Sequence, residues 1–164
     1  MTDANSPFPT IPDFARRAAK YPPVADLLRQ LYGYPGWRPS LEPLDELIAC
    51  ILSQSTTDRN SGRAFEALKE RFPTWEQALA APVAEIIEAI KPAGLSNQKG
   101  PRIQEALRRI QAERGELNID FLGDLPVATA KAWLEQFDGV GPKTAAIVLC
   151  FALNMPAFPV DTHV

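Results

Sequence analysis

Apolar residues recur at intervals of three and four along most of this chain, and this spacing is the feature that most constrains its fold. The first stripe consists of Leu44, Leu47, Ile48, Ile51 and Leu52, which places all five on one face of a helix. The spacing returns in later segments, and no segment alternates apolar and polar residues as a half-buried strand does. The sequence therefore predicts an all-α protein, a compact bundle of about six to eight helices joined by short loops.

Several residues predict where these helices begin and end. A second helix is expected to start near Asp58. Thr74 and Gln77 have the spacing of a capping box, which predicts the start of a short third helix. Pro82 suits the first turn of the next helix, and Gly115 suits the end of the long helix after it.

Two further helices are expected at 125–137 and 145–153. The second is apolar almost all round, which predicts a helix buried on every side. The N-terminal residues differ, because proline is concentrated there. They predict a loose start to about Pro12 and short helices around Phe14–Lys20 and Pro23–Tyr32.

Composition limits the classes of protein that fit this chain. It has 46% apolar and 23% charged residues, and no apolar run approaches the roughly 18 residues that span a bilayer. Its two cysteines, Cys50 and Cys150, lie far apart in apolar runs, so we expect buried thiols in a reducing compartment. The net charge of −3 is unusual for a nucleic-acid-binding protein, although binding depends on where the cations cluster.

The segment 137–145 carries the strongest chemical signal. Its Gly139-Val140-Gly141 turn lies between two predicted helices, where glycine allows a positive φ. The amides at the start of the second helix then point outward and can bind a phosphate. A plain helical hairpin with a glycine turn would have the same local sequence.

Lys143 and Asp161 make the functional interpretation more specific. Lys143 lies in the first turn of the helix after the hairpin, where the helix dipole disfavours a cation by about 0.3–1 kcal/mol. A lysine that serves only solubility is more usual at a helix C-terminus. Paired with a carboxylate, such an amine suits nucleophilic attack on a sugar C1′. Taken separately, the two residues also fit a surface lysine and a helix-capping aspartate.

Three motifs together resemble the endonuclease III family of helix-hairpin-helix DNA glycosylases. Gly-Val-Gly-Pro-Lys-Thr-Ala at 139–145, followed by Val-Asp-Thr-His at 160–163, is similar to the active-site signature of that family. The segments Leu-Ser-Gln-Ser-Thr-Thr-Asp at 52–58 and Gly-Leu-Ser-Asn-Gln-Lys-Gly at 94–100 resemble two of its loops. The resemblance runs from about Leu44 to Val164.

The resemblance implies a role for each matched residue. Lys143 would be the nucleophile and Asp161 the essential carboxylate. The hairpin would hold phosphates near the lesion. The residues that the resemblance assigns to DNA binding are Gly139, Val140, Gly141, Thr144, Gln54, Ser55, Leu95, Asn97 and Lys99, with Arg102 as a further phosphate contact.

Among these residues, Gln54 or Ser55 would wedge into the duplex together with Leu95. Leu95 also fits a partly buried core position. Lys99 and Arg102 also fit ordinary solvated helix positions. His163, the only histidine of the chain, is expected to be structural.

This sequence departs from the family pattern in three respects. Ser55 stands where many members have the second polar wedge residue, which leaves the identity of the wedge open. Pro142 stands where the commonest pattern has arginine, so one cation that could seek a phosphate is lost. Family members also continue past the aspartate into a second domain, in which four cysteines hold a [4Fe-4S] cluster. We therefore expect the ligands of such a cluster to lie beyond Val164, and none among the residues given. The resemblance divides the chain into a proline-rich segment, 1–40, that packs on the second domain, and a six-helix-barrel domain, 41–164, with its helix-hairpin-helix at about 125–153.

The implied activity is base-excision repair by a monomeric, bifunctional glycosylase. It would remove oxidised pyrimidines from double-stranded DNA and cleave abasic sites by β-elimination through a lysine Schiff base. Three alternatives remain open. They are a monofunctional, adenine-type glycosylase, which usually lacks the lysine, a non-catalytic helix-hairpin-helix module, which does not need Asp161, and a helical scaffold without a role in DNA.

Overall fold

The computed structural model describes residues 13–34, 36 and 41–161, and in them every regular element is helical. The chain divides into two compact units, Met1–Trp37 and Arg38–Val164. The predicted all-α class is confirmed. The described residues contain nine α-helices, one more than the upper end of the prediction. No helix among them is long and apolar enough to cross a membrane.

The first unit contains helices α1 (Phe14–Ala18) and α2 (Tyr21–Tyr32). The second begins two residues before the predicted Pro23, because prolines fit a first turn that needs no amide donor. The loose start predicted to Pro12 lies outside the described residues. The apolar side chains of α2 are exposed in the structure, among them Val24, Leu27, Leu28 and Leu31.

The second unit holds the remaining helices. They are α3 (Pro43–Ser53), α4 (Asp58–Arg71), α5 (Trp75–Ala80), α6 (Val83–Ala89), α7 (Ser96–Arg114), α8 (Val127–Leu134) and α9 (Pro142–Ile147). Short 3₁₀ turns at Lys91–Ala93 and Asp120–Asp124 join α6 to α7 and α7 to α8.

The capping signals in the sequence are confirmed. Helix α4 begins at Asp58, and both hydrogen bonds of the Thr74–Gln77 capping box are present at α5. Gly115 ends α7 with a φ of 77°, in the left-handed region that glycine adopts without a steric penalty.

Helix α3 lies at the centre of this unit. Its residues Leu47, Ile48, Ile51 and Leu52 are completely buried, and it packs against α4, α7 and α9. Each such side chain contributes about 1.5–3 kcal/mol of stabilisation through burial. The rigid core thereby fixes the C-terminal end of α3, from which the loop at Gln54 and Ser55 emerges.

The prediction of a last helix buried on every side is wrong. Helix α9 starts at Pro142 and changes at Val148 to a π-helical turn that runs to Ala152. Phe151 in this turn is 47% exposed, and Cys150, expected to be buried, is only partly so. Ile147, four residues before Phe151, is also only partly buried, so one side of this last element faces solvent.

Candidate active site and nucleic-acid interface

Lys143 and Asp161 lie in contact, as their proposed joint role requires. The Nζ atom of Lys143 donates a hydrogen bond to Oδ2 of Asp161 over 2.5 Å. The two side chains are 48% and 40% exposed, so a ligand from solvent can reach the pair. The contact therefore places a carboxylate, which can accept a proton, beside an amine that solvent can reach.

The fold explains how residues eighteen positions apart meet. From Lys143 the chain runs about 15 Å along α9 and the π turn, at about 1.5 Å per residue. It reverses at Asn154, whose φ is 53°, and the amide of Met155 closes the turn on the carbonyl of Leu149 over 2.8 Å. The residues up to Asp161 then run without regular structure, and about 20 Å of extended chain is enough to return to Lys143.

Two side chains from other helices anchor the glycine hairpin. Nε2 of Gln54 donates to the carbonyl oxygen of Gly139 over 2.6 Å. Nε of Arg102 donates to Oδ2 of Asp138 over 2.8 Å. The φ of Gly139 is 80°, which explains why glycine is needed there. The hairpin is therefore held from both α3 and α7.

The hairpin presents fewer backbone donors than the sequence predicted. Val140 is buried, and its amide donates to the carbonyl of Phe137 over 3.0 Å, so the assignment of Val140 to DNA binding is corrected. Gly141 is exposed and Thr144 is half-buried. The amides of Lys143 and Thr144 lie in the first turn of α9, where an amide has no acceptor within its own helix.

The two predicted wedge loops have the same unusual backbone. Ser55 has a φ of 52° and Leu95 a φ of 50°, a region that costs a residue with a side chain about 1–2 kcal/mol. Leu95 is 51% exposed, so the alternative of a core position is not favoured. Because Gln54 contacts the hairpin, the exposed Ser55 is the better candidate for the first wedge.

Lys99 is buried, and both sequence interpretations of it are corrected. Its side chain is 1% exposed, and Nζ donates to the carbonyl oxygens of Leu52 and Ala93 over 2.8 and 2.9 Å. It therefore neither faces a phosphate nor lies in solvent. Asn97 is exposed. Arg102 is engaged by Asp138 rather than solvated as an isolated cation.

A cleft of about 320 Å³ opens between α3 and α4 beside this site. Burial, followed by the nearby carboxylate of Glu46, raises the pKa of the Cys50 thiol to about 12. The charge of Lys143 acts in the opposite direction on this thiol. Ile147, which follows Lys143 by four residues in α9, lies in the wall of the cleft. The residues that line the cleft include Glu46, Cys50, Ser53, Ser61, Phe65 and Ile147.

Residues 48–164 match the sequence pattern of a protein family described as HhH-GPD superfamily base excision DNA repair protein. The chain belongs to this HhH-GPD superfamily. The match begins within α3 and includes the hairpin, Lys143 and Asp161, so the residues just described lie in the part of the chain that the superfamily shares.

Relatives within the HhH-GPD superfamily include proteins named as DNA glycosylases and endonuclease III. An Arabidopsis thaliana protein named as a candidate DNA glycosylase is 47% identical over 121 residues, which are 74% of this chain and 41% of the relative. Endonuclease III of Thermotoga maritima is 32% identical over 142 residues, which are 86% of this chain and 62% of the relative. The resemblance to the endonuclease III family is therefore confirmed.

A solved structure of a non-covalent endonuclease III–DNA complex has the same fold. Its TM-score is 0.67 at 27% identity, and the match covers 91% of this chain and 65% of that one. The chain thus spans less than two thirds of the length of each of these three relatives.

The cofactor expected from the resemblance cannot be held by the residues present. A [4Fe-4S] cluster takes four cysteine ligands, whereas this chain has two cysteines, one buried in α3 and one in the π turn. Among the described residues no three metal-ligating side chains lie close enough together to hold a metal ion. A cluster bound by later residues stays a prediction.

The sequence analysis named Lys99, Gln54 and Arg102 but did not predict the contacts that they make in this superfamily member. The buried position of Lys99 could have been found, because Lys99 precedes Ile103 by four residues and so shares its buried face. The contacts of Gln54 with Gly139 and of Arg102 with Asp138 join residues 85 and 36 positions apart. No local pattern reports such pairs.

Proposed function

We propose that this chain carries the catalytic centre of a DNA glycosylase with AP-lyase activity, in which Lys143 is the nucleophile. The observation that supports this most is the 2.5 Å contact between Lys143 Nζ and Asp161 Oδ2, next to a hairpin suited to a phosphate. Phosphate binding alone would not need a carboxylate beside the lysine.

In the glycosylase step, Lys143 attacks C1′ of the damaged nucleotide. The new N–C1′ bond replaces the glycosidic bond, and the base leaves with the bonding electrons and takes up a proton. Asp161 accepts the proton that the lysine must lose, and its negative charge stabilises the positive charge that develops on the sugar. Opening of the sugar ring then gives an imine between Nζ and C1′.

In the lyase step, the imine withdraws electrons from C2′. Loss of a proton from C2′ expels the 3′ phosphate oxygen, which breaks the C3′–O bond and cuts the strand. Hydrolysis of the imine releases Lys143. Because these reaction steps pass through a covalent imine, reduction of the imine by borohydride would trap the enzyme on its substrate.

The DNA would be held by the backbone at Gly139, Gly141 and Thr144, and Ser55 and Leu95 would fill the gap left by the extruded nucleotide. The cleft beside Lys143 falls within the usual size of ligand pockets, about 300–1,000 Å³, and would receive the base. Flipping costs least for a base that already stacks poorly. Because ring-saturated pyrimidines stack poorly, we infer that the protein acts on these oxidised bases and on abasic sites in double-stranded DNA.

The test is borohydride trapping on a duplex oligonucleotide that carries one abasic site. The full chain and Lys143→Ala are compared, with Lys131→Ala as the matched control, because Lys131 lies on α8 and pairs with Glu135 at the surface. The full chain and Lys131→Ala should form the covalent adduct, and Lys143→Ala should not.

Two results would contradict the proposal. An adduct that persists in Lys143→Ala would assign the chemistry to another amine. If the full chain binds the duplex but gives no adduct, a monofunctional glycosylase or a DNA-binding module replaces the bifunctional enzyme.

A further inference from the structure

Lys99 has a buried ammonium that no step of the proposed reaction uses. Among the residues that the structure describes, it alone has a fully buried charged side chain. Burial lowers its pKa below the ordinary value of 10.5, because the charged form is taken out of water. Burying a charge costs folding free energy unless the charged group is hydrogen-bonded, so the hydrogen bonds of Lys99 deserve an explanation.

The two acceptors of Lys99 belong to different parts of the chain. Leu52 lies in the last turn of α3, and Ala93 ends the 3₁₀ turn before α7. Carbonyl oxygens in the last turn of a helix receive no hydrogen bond within that helix. The ammonium of Lys99 therefore supplies the donor that the oxygens of Leu52 and Ala93 would otherwise lack. With three donor hydrogens, an ammonium can bridge two carbonyls that face it from different directions.

Each bonded carbonyl lies two or three residues before a strained loop position. Ser55 follows Leu52 by three residues, and Leu95 follows Ala93 by two. Each has a left-handed φ, 52° and 50°, which persists only where the surrounding structure holds it. The bonds of Lys99 fix the backbone from which both loops leave the core.

We propose that Lys99 is a positioning residue that sets the distance between the loops at Ser55 and Leu95, so that both enter the duplex together. The inference rests on the proposed function, in which these residues replace the extruded nucleotide. Lys99 itself touches neither the DNA nor the reacting atoms. It acts only through the carbonyls of Leu52 and Ala93.

A comparison of two abasic substrates tests this role. In single-stranded DNA an abasic sugar is accessible without extrusion, whereas in a duplex the wedge must open the stack. Strand cleavage under single-turnover conditions is measured on both substrates for the full chain, Lys99→Met and Lys91→Met. Lys91 is a suitable control, because it lies in the same turn as Ala93 but has an exposed side chain.

Lys99→Met should slow cleavage of the duplex about ten- to a hundredfold, as expected when reacting groups are misplaced by about 1 Å, and should leave the single-stranded rate nearly unchanged. Leu95→Ala should also slow cleavage of the duplex alone. Lys91→Met should cleave both substrates at the rate of the full chain. Equal slowing on both substrates, or no slowing on the duplex, would overturn the proposal. A full chain inactive on both substrates would instead refute the proposed function.

Amide hydrogen exchange tests the inference independently of activity. Lys99→Met should accelerate exchange in residues 53–57 and 93–97 together, and leave the middle of α4 protected. Acceleration in only one loop, or none, would show that Lys99 does not link them. If Lys99→Met fails to fold, Lys99→Gln, which keeps a shorter donor, is measured in the same two assays and judged by the same outcomes.

Discussion

The starts of α7 and α9 are similar in sequence and differ in what their lysines do. Each helix follows a glycine-containing loop and has a lysine within its first turn, Lys99 in one and Lys143 in the other. The ammonium of Lys99 is buried and bonds to two backbone carbonyls. The ammonium of Lys143 is exposed and bonds to one carboxylate.

This difference teaches that the partner and its setting decide the role of a lysine, rather than its place in a motif. Two neutral carbonyls in the core accept hydrogen bonds but cannot take a proton, so Lys99 suits a structural link. A carboxylate at an open surface can accept a proton and leaves the amine accessible, so Lys143 suits covalent chemistry. The following predictions separate the two lysines, beginning with the largest effect.

Lys143→Gln should reduce strand cleavage on both duplex and single-stranded abasic DNA by on the order of 10³-fold or more, because the covalent route is lost. Lys99→Met should affect the duplex alone. The measurement is the cleavage rate of each variant on each substrate. If both variants lose activity selectively on the duplex, Lys143 contributes to DNA binding and is not the nucleophile.

The stabilities of the same two variants should be in the opposite order. Lys99→Met leaves the carbonyls of Leu52 and Ala93 without a donor, so the free energy of unfolding should fall by about 1–3 kcal/mol. Lys143→Gln changes an exposed side chain and should stay within about 0.5 kcal/mol of the parent. Urea unfolding followed by circular dichroism measures both. A Lys99→Met variant as stable as the parent would mean that water can replace the ammonium.

Gly100, next to Lys99, is predicted to be required by packing. A Cβ at Gly100 would lie 2.6 Å from Cγ1 of Ile87, so Gly100→Ala should lower the free energy of unfolding by about 1–3 kcal/mol. Gly62→Ala in α4 is the matched control, since no atom lies within 4 Å of the added carbon. It should raise stability by about 0.5–1 kcal/mol. Gly100→Ala at no cost in stability would contradict this prediction.

The two glycines of the hairpin before α9 should respond differently when each is replaced by alanine. Gly139→Ala forces a side chain to a φ of 80°, at a cost of about 1–2 kcal/mol. Gly141 has a φ of −99° and open space around it, so Gly141→Ala should keep the stability and weaken duplex binding instead. Unfolding and fluorescence anisotropy with labelled duplex separate the two effects. Unchanged binding by Gly141→Ala would indicate that the phosphate lies elsewhere.

The sequence predicted the elements better than the contacts between them. The Thr74–Gln77 box and the Gly115 stop are local, because a few neighbouring residues supply all their hydrogen bonds. The meeting of Lys143 with Asp161 was expected from the motif. The exposure of Phe151 was not predicted, because an almost wholly apolar segment has no periodicity that marks a solvent-facing side.

The two lysines of the comparison show the same limit. The apolar residues Ile103, Ala106, Leu107 and Ile110 share the buried face of α7, which begins at Ser96. A count extended back by one turn puts Lys99 on the buried face. Which carbonyls receive its ammonium depends on how α3 packs on α7, and that is a property of the folded chain alone.

The smallest predicted effect concerns pH. Burial lowers the pKa of Lys99 in the folded protein, so between that pKa and about 10.5, the ordinary lysine value, the folded state binds fewer protons than the unfolded state. Stability due to Lys99 therefore rises with pH in this window and is lost as pH falls through the folded pKa. The difference in unfolding free energy between the parent and Lys99→Met should grow as pH rises from 7 towards 10. The contributions of titrating groups that both proteins share cancel in this difference. A difference that shrinks would mean that the fold favours the charged ammonium, and that its two carbonyl bonds outweigh the cost of burying it.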